Sequence, residues 1–177
     1  KQLVDVTVGR GTVVRAPTPE SAAESMKLLL LMQSGRAEID KVGEVRHIVE
    51  NEIAALAAER RTDDDLHELA AILEENRQHL DDPEVYIKSD VAFHAALARA
   101  TQNELFALIL DSLVDIMIEV RLLSLRVPGI TRQAFSYHER IHEAVSAGDP
   151  EAARAAMDAH MDQASDALRQ AVGGDSG

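Results

Sequence analysis

Asp90, His94, His138 and His160 are the residues whose types and spacing point most directly to chemistry. Asp90 and His94 stand four apart in the segment SDVAFHAALARA, which reads as helix. Side chains four apart leave a helix from one face. His138 and His160 flank the run Ser146-Ala147-Gly148-Asp149-Pro150. Gly148 suits the position just past a helix end, Asp149 suits an N-cap, and Pro150 suits a first helical turn. His138 precedes Gly148 by ten residues and His160 follows Asp149 by eleven. At about 1.5 Å rise per residue, both imidazoles lie roughly 15–16 Å from the same turn. An antiparallel hairpin would bring them level. One carboxylate and three imidazoles suit a borderline divalent ion such as zinc, nickel or manganese. The competing reading is four unrelated surface residues in an acidic, histidine-containing chain. Phe93 and Leu97 beside His94, and Ile141 and Val145 beyond His138, argue for burial instead, and buried histidines need partners.

Three other constellations carry less. His138-Glu139-Arg140-Ile141-His142 matches H-E-x-x-H, the zinc-protease helix. The extended histidine motif is absent, because Val145 replaces its glycine and Gly148 its third histidine. No glutamate stands about twenty residues on, where residue 162 is Asp. Glu44-x-x-His47 resembles half of a di-iron helix motif, but no second half follows, so an exposed helix face is expected. Arg46 and Glu50 lie four apart. They form either an ordinary helix ion pair or an arginine pointing into a pocket to grip a carboxylate, and spacing does not decide between them.

The elements that must position these residues are almost all helical. A chain of 177 residues fits one domain with a real core, with room for an appendage. No apolar run reaches transmembrane length and no secretory segment is evident, so no membrane partner is expected. Cysteine is absent, which excludes disulfides and thiolate ligands and points to a reducing, cytoplasmic compartment. Aromatic residues make up 3%, too few for base-stacking platforms, and the net charge of −13 opposes phosphate binding.

Residues 1–16 differ from the rest. Val4, Val6 and Val8 alternate with polar residues, Gly9-Arg10-Gly11 is a turn, and Thr12-Val13-Val14 is a second β-prone run, so a short hairpin is expected. Pro17 and Pro19 mark a linker over residues 17–20. Helices are expected at 20–33, 38–60, 63–79, 83–101, 104–126, 130–147 and 150–171, and residues 173–177 as a disordered tail. The fifth is apolar on several sides, with Leu105, Ile109, Leu113, Ile116 and Val120 on one stripe and Phe106, Leu110, Val114 and Leu122 on another. Such a helix is central in a bundle or sits in a subunit interface, and the core is the favoured place.

Three blocks carry a family resemblance. The first is Glu44-Val45-Arg46-x-x-Val49-Glu50 with Ala54-x-x-Ala57-Ala58-x-Arg60. The second is Asp90-x-x-Phe93-His94-x-x-Leu97-x-x-Ala100-x-x-Asn103. The third is His138-x-x-Ile141-x-x-Ala144-x-x-x-x-Asp149 with Ala152-Ala153-x-x-Ala156-Met157-x-x-His160. Together they resemble the effector-binding FCD domain of FadR-type GntR transcription regulators, over about residues 20–172. Residues 9–14 resemble the wing of that family's winged helix-turn-helix domain, most of which would then lie before Lys1.

The resemblance implies an all-α fold: an antiparallel bundle of six to seven helices at 21–172, with the N-terminal β-hairpin as a remnant of the DNA-binding domain. It implies a divalent metal, zinc first, with nickel or manganese as alternatives, on Asp90, His94, His138 and His160. A small carboxylate effector would complete the site beside Arg46, with Arg121 as a second cation. It also implies a homodimer that meets DNA only through the N-terminal domain. One departure is His142, at a position usually apolar in the family. The expected function is therefore ligand sensing in a bacterial transcription regulator. The rival class is a metal-dependent hydrolase using water at an open coordination position. Its one motif-named base, Glu139, projects about 100° around the helix from His138.

Overall fold

A computed structural model describes residues 4–7, 11–14, 21, 25, 26, 28 and 36–173. Two short strands, β1 (Val4–Thr7) and β2 (Gly11–Val14), pair antiparallel, with Val4 opposite Val14 and Thr7 opposite Gly11. This is the expected hairpin; the linker at 17–20 lies outside the described residues. The helix expected at 20–33 lies largely outside them too, although Ser21, Ser25, Met26 and Leu28 are helical.

Six helices follow: α1 (Arg36–Arg60), α2 (Asp63–Gln78), α3 (Pro83–Ala100), α4 (Glu104–Ser124), α5 (Ile130–Ala147) and α6 (Pro150–Gly173). Their starts are written in local chemistry. The Thr62 hydroxyl accepts from Asp65 N and the Asp65 carboxylate accepts from Thr62 N, a reciprocal cap on α2. Asp82 caps α3 ahead of Pro83, and the Asn103 side chain accepts from Leu105 N to open α4. Helix α6 runs through Gly173, one residue into the stretch expected as a tail; residues 174–177 lie outside the described residues.

The helices bury a main core. α1 packs on α6, α5 on α6, α2 on α3, and α3 on both α4 and α1. Phe93, Leu97, Ile141, Val145 and Met157 are fully buried at its centre. A second cluster joins Val42 of α1 to Leu113, Ile116 and Met117 of α4. Helix α4 departs from the expected central role. Its inner face is buried, but Leu105, Ile109 and Leu122 are exposed. Both apolar stripes are divided: Leu113 and Ile116 of one and Leu110 of the other are buried, while Leu105 and Ile109 of the first and Leu122 of the second lie on the surface. Among the described residues, no helix is long and apolar enough to cross a membrane.

Candidate metal centre

Helix α3 presents Asp90 and His94 one turn apart, α5 presents His138, and α6 presents His160. All four are almost completely buried, His138 at 0% exposure and Asp90 at 3%. The α5–α6 hairpin turns at Gly148, whose φ of 70° is left-handed. Asp149 then accepts from Ala152 N at 3.0 Å to start α6. The turn sets His138 and His160 at equal height, and their Nε2 atoms face each other at 3.3 Å. Asp90 Oδ1 lies 3.5 Å from His138 Nε2. One ring nitrogen from each of His94, His138 and His160 falls within a 4.8 Å cluster. The ring of Phe93 stacks on His138 with centroids 4.4 Å apart, which fixes the plane of that imidazole.

The electrostatics suit a cation. Burial, with the neighbouring imidazoles and Arg121 adding to it, pushes the pKa of both His138 and His160 well below the usual histidine value. At neutral pH these rings are uncharged and offer lone pairs. His94 Nε2 is buried without a hydrogen-bond partner, and the Nε2 atoms of His138 and His160 have only each other and Asp90 nearby. Buried imidazole nitrogens facing one another call for a further partner between them. Three buried histidines could thus hold a metal ion, and Asp90 stands ready to add a carboxylate. When bound, the ion would supply a Lewis-acidic docking point for an anionic group.

Around these donors lies a second layer. Glu50, from α1, is 1% exposed. Its Oε1 accepts from Arg46 Nε at 2.7 Å and its Oε2 lies against His94 Nδ1. Burial works to raise its pKa, but Arg46 and His94 outweigh it and hold the carboxyl well below the usual range. A carboxylate on Nδ1 would direct the Nε2 lone pair of His94 toward a metal. Arg46 thus makes the helix ion pair with Glu50 and is also buried on the wall of a cavity. Arg121 pairs through Nε with Asp90 Oδ2. Arg46, Arg121, Asp90, His160 and Tyr86 all line one cavity.

The other constellations fall outside. His142 is half-buried against the Leu66 backbone, with Ser146 Oγ 3.4 Å from its Nε2, and does not join the three imidazoles. Glu139 pairs with Arg77 at 3.2 Å on the surface. His47 bonds Asp158 at 2.6 Å on the outer side of α1 and α6, and Glu44 is exposed. Glu50's contact with His94, the Arg121–Asp90 pair and the presence of Tyr86 in the cavity were not foreseen. Tyr86 carried one signal: it stands a turn before Asp90, on the same face as the Asp90–His94 pair.

A family model for the FCD domain matches residues 41–163. The chain is also 32% identical over 171 residues to the HTH-type transcriptional regulator LutR of Bacillus subtilis, covering 94% of this chain and 77% of LutR. This chain belongs to the FCD domain family of GntR-type transcription regulators. That membership places it among regulators rather than enzymes. The HTH-type transcriptional repressor NanR of Escherichia coli K12 is 29% identical, over 93% of this FCD chain and 64% of NanR, so the chain spans less than two thirds of that relative. The fold agrees with solved structures. E. coli McbR/YncC superposes with a TM-score of 0.69 at 20% identity, over 95% of this chain and 77% of that one. Streptococcus agalactiae GntR superposes at 0.61 and 22% identity, over 91% and 73%.

Proposed function

We propose that this FCD domain senses a small carboxylate at a divalent metal held by Asp90, His94, His138 and His160, with zinc the first candidate and nickel or manganese also suited to the donors. The observation that carries the reading is that four buried donors from three helices converge, and two arginines line the same cavity. A metal site enclosed by Arg46 and Arg121 has a positive interior in a protein of net charge −13. Arg46 would orient a carboxylate and Arg121 would share it with Asp90. A bound effector would link α1, α3, α4 and α6, and so favour one arrangement of the bundle over another. In a homodimer, that shift would reach an N-terminal winged-helix domain, of which the β1–β2 hairpin would be the wing, and so change DNA binding. The HTH-type relatives support this last step.

Elemental analysis of purified protein tests the site. We expect close to one divalent ion per chain, lost in His160→Ala. Small carboxylates should raise Tm in the metal-loaded protein and not after EDTA, because a ligand that binds only the folded state stabilises it by mass action. Protein without metal whose Tm ignores EDTA, or an equal response to carboxylates with and without metal, would overturn the reading.

A further inference from the structure

Two hydrogen-bond donors in the cavity have nothing to donate to. The Tyr86 hydroxyl is buried and without a hydrogen-bond partner, in a residue only 3% exposed. Arg121 turns Nε to Asp90, but its Nη1 is buried and unpartnered as well. Arg46 is different: Nε donates to Glu50 and Nη2 points to Met161 Sδ at 3.9 Å. A guanidinium can only donate. The tyrosine is also held as a donor, since burial and then Asp90 push its pKa up, against the smaller opposing effect of Arg121. Two buried donors on one cavity mark a place where an acceptor belongs.

That place begins beside Asp90, where Arg121 binds, and extends away from the imidazoles. Tyr86 stands eight positions before His94 on α3, about 12 Å along the axis. Helical side chains lean toward the N-terminus, which carries the hydroxyl further from the imidazoles. A single carboxylate at the imidazole end would leave the Tyr86 hydroxyl unsatisfied.

We propose that Tyr86 and Nη1 of Arg121 form a second polar subsite, which selects effectors carrying an acceptor oxygen group beyond the first carboxylate. The preferred effector is then a small bifunctional acid, with a second carboxylate answering both donors at once. The inference rests on the carboxylate-sensing reading above and assigns Tyr86 as a specificity-determining residue within it.

Succinate and butanoate share a four-carbon length and differ in the second carboxylate, so they are the probes. Calorimetric titration of the metal-loaded chain should show tighter binding of succinate. Tyr86→Phe should weaken succinate by about ten- to a hundredfold, the effect of one hydrogen bond to a charged acceptor, and leave butanoate unchanged. Because the lost hydroxyl bonds nothing in the protein, the ligand-free Tm and metal content of this variant should not fall. Equal binding of the two acids by the wild type would overturn the subsite. So would a Tyr86→Phe variant that keeps the full succinate preference or loses both acids equally. A metal-loaded protein that binds neither acid would sink the carboxylate reading itself, and the subsite with it.

Discussion

Glu50 joins the two halves of the site, because one oxygen accepts from Arg46 and the other lies against His94. Buried carboxylates are tolerated only when paired, and this one is paired twice. Its removal should therefore act on both partners. In Glu50→Gln the side chain keeps its size but loses the charge that offsets Arg46 and aligns His94. Metal affinity, read by competition with a chelator, should fall about ten- to a hundredfold. The metal-free protein should also lose about 3–5 kcal/mol of stability, read by urea unfolding, since Arg46 is left as an uncompensated buried cation. An unchanged metal affinity with lowered stability would show that Glu50 serves Arg46 alone.

At the scale of elements, the α5–α6 hairpin does the positioning. Its turn residue, Gly148, adopts a left-handed φ of 70° as its NH bonds back to the end of α5. A Cβ there would stand 3.0 Å from Arg61 Nη2, which donates to Ser146 O at 2.9 Å and ties α1 to the turn. Gly148→Ala thus meets backbone strain and also displaces Arg61. A loss of about 1–3 kcal/mol is expected from the left-handed conformation. For a chain of this size each kcal/mol lowers Tm by about 2–4 °C. Differential scanning calorimetry of the metal-free variant checks this, and a Tm equal to wild type would show that the turn relaxes freely. Helix α4 contributes differently. Its buried face anchors Arg121 over Asp90, while Leu105, Ile109 and Leu122 face outward.

At the scale of the whole molecule, charge governs what the chain meets. With 31 acidic and 18 basic side chains, the net charge is −13. Phosphate backbones are repelled by such a surface. Fluorescence anisotropy at physiological salt should detect no DNA binding by these 177 residues. The same chain preceded by a winged-helix domain should bind. Tight, specific binding by the chain alone would contradict the assignment of DNA contact to the N-terminal side. Arg46 and Arg121 nevertheless set two cations inside this acidic molecule, a local property that the net charge does not reveal.

How much was legible in the sequence depends on the range of each interaction. Asp90 with His94, and the helix boundaries at Thr62, Asp82, Asn103 and Gly148, follow from interactions within one turn, and spacing alone reports them. His138 and His160 are 22 residues apart. They were still legible, because a hairpin with a marked turn converts sequence distance into height. The three family blocks added the link from α3 to that hairpin. Tertiary packing alone decided what α1 and α4 bring. Arg46 and Glu50 read equally well as a surface pair, and only the packing of α1 on α6 and α3 turned them inward. Arg121 meets Asp90 from a helix 31 positions on, with no periodicity to announce it. His142 satisfied a zinc motif yet lies against α2, since the rotation of α5 about its axis is set by Phe135, Ile141 and Val145 in the core. Local spacing determines which residues share a face. Which faces meet is settled by the burial of apolar side chains contributed by helices far apart in the chain.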